Sequence, residues 1–141
     1  MIPIMSMKAF NMIFIVDDDP IHQQISQIML ERLGVAKQIM KFCDAEEVLT
    51  YLKEHLQDAA AMPDLILLDL NMPVMDGWDF LNEYATFYNQ IPQGVRIYVL
   101  TSSIDEKDKE RVSQYHFVNG YLTKPLAHGV MMKLLEEGQE Q

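Results

Sequence analysis

The sequence predicts an α/β domain built on a parallel sheet with helices on both faces. Two observations carry this. Short runs that are apolar at every position, such as Ile13–Val16 and Leu65–Leu68, mark strands covered on both sides. Between these runs lie segments of helical period, and regular alternation of strand and helix implies right-handed crossovers in one parallel sheet. At 141 residues, with no internal repeat, linker or low-complexity stretch, the chain is the size of one domain.

The elements follow in order. Residues 1–11 form an apolar N-terminal extension, and a single domain is expected over 12–141. Ile13–Val16 is the first strand. Asp19 then reads as a helix N-cap with Pro20 at the first helical position. Ile21, Ile25, Ile28, Met29 and Leu33 recur as one apolar stripe, closed by Gly34. A brief strand, Gln38–Phe42, precedes a second helix. That helix starts at Asp44 with Glu47 three residues on, a capping-box pattern, and turns Val48, Leu49, Leu52 and Leu56 inward. Leu65–Leu68 is the third strand and ends in Asp69. After LNMPVMDG, a third helix from about Trp78 carries Trp78, Leu81, Tyr84 and Tyr88. Val95–Leu100 is the fourth strand, Asp105–Tyr115 a charged helix, Tyr121–Thr123 the last strand and Leu126–Leu135 the last helix.

Eleven Lys and Arg against 21 Asp and Glu give a net charge of −10, which repels phosphate backbones and argues against nucleic acid as a partner. No apolar run approaches the roughly 20 residues that span a bilayer. MIPIMSMKAFN has its one Lys inside the apolar stretch and no small-residue cleavage pattern, so it makes a poor signal peptide. A cytoplasmic protein with a protein partner is the expectation. Cys43, the single cysteine, fits a reducing compartment and reads as a small buried residue.

In an open parallel sheet, ligands bind beyond the carboxyl ends of the strands. Those ends carry Asp17, Asp18 and Asp19, then Asp69, Thr101 and Lys124. If the first and third strands are neighbours, several carboxylates converge, and they require a counter-ion to stay ionised together. Magnesium suits such a site, because it takes hard oxygen ligands and completes its shell with water and phosphate. A carboxylate beside that ion can attack phosphorus and form an aspartyl phosphate. Phosphoryl transfer needs positioning and charge neutralisation above all, so a metal, an ammonium and a hydroxyl around one nucleophile suffice.

VDDDP after the first strand, LLDLNMPVMDG around Asp69, VLTSS after the fourth strand and GYLTKP at the fifth resemble the response regulator receiver domain of bacterial two-component signalling. Any one block is weak, but all four occur in order over roughly Met12 to Leu135. The resemblance implies a CheY-like, flavodoxin-like (βα)5 sandwich with strand order 2-1-3-4-5. It implies Asp69 as phosphoacceptor, Asp18 as a direct magnesium ligand, Asp17 acting largely through water, and the Asn71 backbone carbonyl as a further ligand. Thr101 and Lys124 would stabilise the phosphoryl group, and Thr101 with Tyr121 would form the switch. A cis peptide is implied before Pro125.

The function implied is that of a stand-alone receiver phosphorylated by a sensor histidine kinase or a histidine phosphotransfer protein. It would switch a surface for an unnamed downstream protein, as a monomer or weak dimer, and catalyse only its own phosphorylation and dephosphorylation. Two alternatives stand beside it. One is a magnesium-dependent aspartyl-phosphate phosphatase or phosphotransferase, disfavoured because Pro20 follows the acidic triad and no insertion could form a substrate cap. The other is a binding module that does not use phosphate. Individual residues also have plainer readings. Asp19 serves as a helix cap, Asp76 before Gly77 as turn chemistry, and Ser102 and Ser103 as loop or cap residues with no histidine to activate them. The four histidines show no metal-binding spacing.

Overall fold

Strand β1 runs from Phe10 to Val16, so Phe10 and Asn11 belong to the sheet and not to the extension. The structure is a computed structural model that describes residues 10–72, 75–91, 94–101, 106–124, 129 and 131–132. β1 is followed by helix α1 (Pro20–Leu33), β2 (Ala36–Phe42), α2 (Ala45–Glu54) and β3 (Leu65–Asp69). Helix α3 (Gly77–Tyr84), β4 (Arg96–Thr101), α4 (Glu106–Val112) and β5 (Gly120–Thr123) complete the described elements. Short 3-10 turns occupy Ala59–Ala61 and Tyr88–Gln90. The expected last helix, Leu126–Leu135, lies outside the described residues except for Gly129, Met131 and Met132. No helix among the described residues is long and apolar enough to cross a membrane.

All five strands are parallel, in the order β2-β1-β3-β4-β5 that the resemblance implied. Their alternating side chains build two cores. On one face Phe14, Val16, Ile66, Leu68, Ile97 and Val99 meet Val48, Leu49 and Leu52 of α2 and Phe80 and Leu81 of α3. On the other, Ile13, Ile15, Leu65, Leu67 and Leu100 meet Leu30 of α1 and Met131. Strands covered this way must be apolar throughout, and β3 is buried at all five positions.

The caps explain where the helices start. The Asp19 side chain accepts the Ile21 N–H, and the Asp44 side chain accepts the Glu47 N–H. At α3 the Asp76 and Asp79 side chains exchange bonds with each other's backbone N–H, a complete capping box. Gly34 closes α1 at φ 62°, in the left-handed region that glycine adopts freely. Helix α3 is shorter than its aromatic spacing suggested, because it stops at Tyr84 and Tyr88 opens a separate turn.

The apolar stripe of α1 has the expected period, and within it Met29 and Leu33 pack partly against the second core while Ile21, Ile25 and Ile28 face outward, 67%, 42% and 41% exposed. The inner face instead buries Gln23, Ser26 and Leu30, because the rotation of the helix is fixed by the bonds Gln23 makes with the sheet. The expectation that Cys43 is buried is corrected: it is exposed, since it follows the end of β2 and not a core position.

The inverted face gives a direct test. Leu30→Ala should cost about 2–5 kcal/mol in urea unfolding, as for other buried leucines. Ile21→Gln should change stability by no more than about 0.5 kcal/mol, as for other solvent-facing positions.

Candidate functional site

The sheet register brings the acids together. Val16 pairs with Leu68, so Asp17 and Asp69 leave neighbouring strands at the same level. Thr101 pairs with Thr123, so Lys124 follows one step beyond and its N–H is held by the Thr101 carbonyl at 2.8 Å. Asp17 is 2% exposed, Asp69 1%, and Thr101 is equally buried. Asp18 stands exposed at the rim.

Lys124 Nζ bridges the two buried acids, 3.2 Å from Asp17 Oδ2 and 3.1 Å from Asp69 Oδ2. The other oxygens fix the loops. Asp17 Oδ1 accepts the Asp19 N–H at 2.9 Å, and Asp69 Oδ1 accepts the Asn71 N–H at 3.0 Å. Burial pushes the Asp69 carboxyl up from 3.8 to about 6, against the Asn71 and Lys124 hydrogen bonds that pull it down. Burial pulls the Lys124 ammonium down, but its bonds to Asp69 and the charges of Asp69 and Asp17 outweigh this, and the net direction is up.

Asp17, Asp18 and Asp69 each present a carboxylate oxygen such that all three lie within 4.8 Å of one another. Three hard oxygens at that spacing fit an oxygen-seeking divalent cation that keeps part of its water shell. Asn71 is exposed at the mouth, where its N–H is already engaged by Asp69. Tyr121 lies apart from this group on β5, exposed, with Lys109 Nζ 5.7 Å from its ring centre. Asp19 caps α1, as its position suggested. Pro125, Ser102 and Ser103 lie outside the described residues.

Two supporting residues escaped the sequence reading. Gln23 is buried, and its Nε2 donates to the carbonyls of Asp17 and Phe42, both at 2.7 Å, tying the first acid's backbone to the end of β2. Only a polar residue interrupting the inner face of α1 could have signalled it. Gly77 is the second. A Cβ there would sit 2.7 Å from the Leu70 Cα and 2.8 Å from the Asp69 carbonyl oxygen, so the loop closes on the acid only with glycine. The Asp-Gly pair indicated a turn but not this contact.

These features define a flavodoxin-like α/β domain with an acidic centre and the partly buried Lys124 ammonium at the carboxyl edge of its sheet. The chain belongs to the response regulator receiver domain family, whose model matches residues 13–136. It is therefore a CheY-like receiver domain of two-component signalling. Among relatives, it is 31% identical to the probable methanogenesis regulatory protein FilR2 of Methanothrix harundinacea, over 91% of this chain and 81% of that one. It is 30% identical to the response regulator Rcp1 of Synechocystis, over 81% and 76%. A two-component response regulator from Cytophaga hutchinsonii shares the fold with a TM-score of 0.84 at 21% identity, covering 94% of this chain and 98% of that one. A two-component response regulator from Legionella pneumophila superposes with a TM-score of 0.77 at 27% identity, covering 93% and 99%.

The raised Asp69 carboxyl sets a pH dependence. The folded chain holds this proton more tightly than the unfolded chain, so the Asp69 contribution to stability falls as pH rises from 3.8 to about 6. Thermal melts without divalent cation should show this decline in the wild type and a shallower one in Asp69→Asn. Gln23→Leu should lower stability by about 1–3 kcal/mol, because the Asp17 carbonyl loses its side-chain donor and the Phe42 carbonyl is left with the Asp17 N–H alone.

Proposed function

We propose that this chain is a stand-alone receiver in which Asp69 accepts a phosphoryl group from the phosphohistidine of a sensor histidine kinase or a histidine phosphotransfer protein. One observation carries the reading: the Lys124 ammonium sits between Asp17 and Asp69, within ion-pair distance of both. A purely structural ion pair needs one acid, whereas a phosphoryl acceptor needs a cation that can move from carboxylate to phosphate.

Asp17, Asp18 and Asp69 would hold Mg2+, with the Asn71 backbone carbonyl as a further donor, and the bound ion would neutralise charge on the phosphoryl oxygens. In the transfer, an oxygen of Asp69 attacks phosphorus; the P–O bond forms as the P–N bond breaks, and the imidazole leaves with its electron pair. The Asn71 N–H keeps the carboxylate oriented, and Lys124 pairs with a phosphoryl oxygen. The added charge of about −1.5 to −2 draws the Thr101 hydroxyl and Lys124 inward. Tyr121 then turns from its exposed position beside Lys109, altering the surface offered to a downstream protein. Water attack on the acyl phosphate resets the site, so the chain catalyses only its own phosphorylation and dephosphorylation. A cytoplasmic monomer or weak dimer belongs to the same reading.

Incubation with acetyl phosphate and Mg2+ should add one acid-stable, base-labile phosphoryl group by intact mass. EDTA and Asp69→Asn should each abolish it. Labelling that survives in Asp69→Asn, or none in the wild type, defeats the proposal, and steady turnover of phosphate esters would make the chain a phosphatase. Lys124→Met should slow labelling by about 10²-fold, the scale for losing one electrostatic stabiliser.

A further inference from the structure

Asp17 is held at three points, and one of them reaches it from a helix. Its N–H donates to the Phe42 carbonyl at 3.1 Å, its Oδ1 accepts the Asp19 N–H at 2.9 Å, and its carbonyl accepts Gln23 Nε2 at 2.7 Å. The same Nε2 donates to the Phe42 carbonyl, also at 2.7 Å. We infer that Gln23 is a positioning residue for a divalent cation at Asp17, Asp18 and Asp69: its amide sets the plane of the Asp17–Asp18 peptide, and with it how tightly the acids hold the ion. The inference rests on the reading of those three acids as a magnesium site.

A peptide unit is planar, so the direction of the Asp17 carbonyl also fixes the nitrogen and Cα of Asp18. Asp18 is the exposed acid of the three, without the burial that confines Asp17 and Asp69. The place of its carboxylate in the cluster, where all three oxygens lie within 4.8 Å of one another, therefore follows from how that peptide is turned. The other end of the strut is anchored in the core. The Phe42 ring is buried, its centre 4.8 Å from that of Phe14 and 5.8 Å from that of Tyr51. Gln23 itself is buried in the first turn of α1, where its N–H donates to the Asp19 carbonyl at 3.0 Å. The amide thus carries the position of the core at Phe42 across to the first acid.

Two features separate this role from the plain pairing of buried polar groups. The Phe42 carbonyl already accepts the Asp17 N–H, so the bond from Gln23 is not required to pair it. Both partners of Nε2 are carbonyls, and a primary amide offers two donor hydrogens in one plane without adding charge. Lysine or arginine could also donate, but a positive charge there would oppose a cation at the acids.

The test measures cation binding on the full chain with no phosphoryl donor present. Mn2+ is the probe, its free fraction read by electron paramagnetic resonance, with Mg2+ as competitor. Gln23→Met keeps the length and removes both donors. It should weaken Mn2+ binding about tenfold, the low end of the loss when a group supporting a metal ligand is removed. Gln23→Asn keeps the donors on a shorter stem and should weaken binding less. Thermal melts establish that each variant is folded, and Gln23→Asn carries the comparison if Gln23→Met does not fold. Leu30→Ala, on the same inner face but without a bond to the acids, should bind Mn2+ as the wild type does. In acetyl phosphate labelling, the Mg2+ concentration giving half the maximal rate should rise in Gln23→Met by the factor that Mn2+ binding loses. The rate at saturating Mg2+ should stay that of the wild type, since the residue acts through the ion. Equal Mn2+ affinity in the wild type and the Gln23 variants overturns the inference and leaves the magnesium reading standing. A loss in Leu30→Ala as large as in Gln23→Met also overturns it, because fold stability then accounts for the effect. Wild type and Asp69→Asn binding Mn2+ alike would defeat the magnesium reading, and this inference with it.

Discussion

The partly buried ammonium of Lys124, bridging Asp17 and Asp69, is the interaction on which the rest of the structure depends. Two carboxylates, Asp17 and Asp69, face one another across adjacent strands with almost no access to water, and one cation serves both. Its hydrogen bond and charge pull the Asp69 carboxyl down against burial, which still drives it up to about 6. With it, the centre still carries an excess of negative charge once Asp18 at the rim is counted. A site so arranged is stable enough to fold and electrostatically unfinished, which suits a centre that takes up and releases a charged group.

The two acids are used in the same way. Each commits Oδ1 to the backbone N–H two residues further on and turns Oδ2 towards Lys124. Each loop is therefore wound around its own carboxylate, and the free oxygen is aimed by the turn and not by the rotamer alone. Gln23 and Gly77 extend this control outward. One pins the Asp17 carbonyl to β2, and the other lets the Asp69 carbonyl lie against the start of α3. Precision at the centre thus comes from backbone held by the acids' own side chains together with the bonds and close approach that Gln23 and Gly77 supply.

The strands were legible because burial on both faces removes alternation, and β1, β3 and β4 show apolar runs that few other structures require. The site was legible because in a parallel sheet the polar residues ending successive strands must share one edge. Strand order did not come from periodicity; it required the resemblance carried by four motif blocks, and the register then placed Asp17 level with Asp69. What was not legible was rotation. A helical stripe reports which residues share a face, but not which face meets the sheet, so the isoleucines of α1 were visible as a stripe and not as a surface. Gln23 was hidden for the same reason, since a buried glutamine announces itself only through the carbonyls it satisfies.

That inversion of α1 joins the acidic centre to the outside of the molecule. Asp19 caps the helix while its backbone N–H holds Asp17, Gln23 on the inner face grips the Asp17 carbonyl, and Ile21 and Ile25 occupy the outer face within the same two turns. An amphipathic helix normally separates these duties, with its apolar side buried and its polar side idle in water. Here the buried polar side organises the backbone of the acidic centre and the apolar isoleucines are exposed. Anything seated on that surface bears on a rigid helical turn whose other side is bonded to the first acid. Contact outside and geometry inside are therefore two faces of one short element.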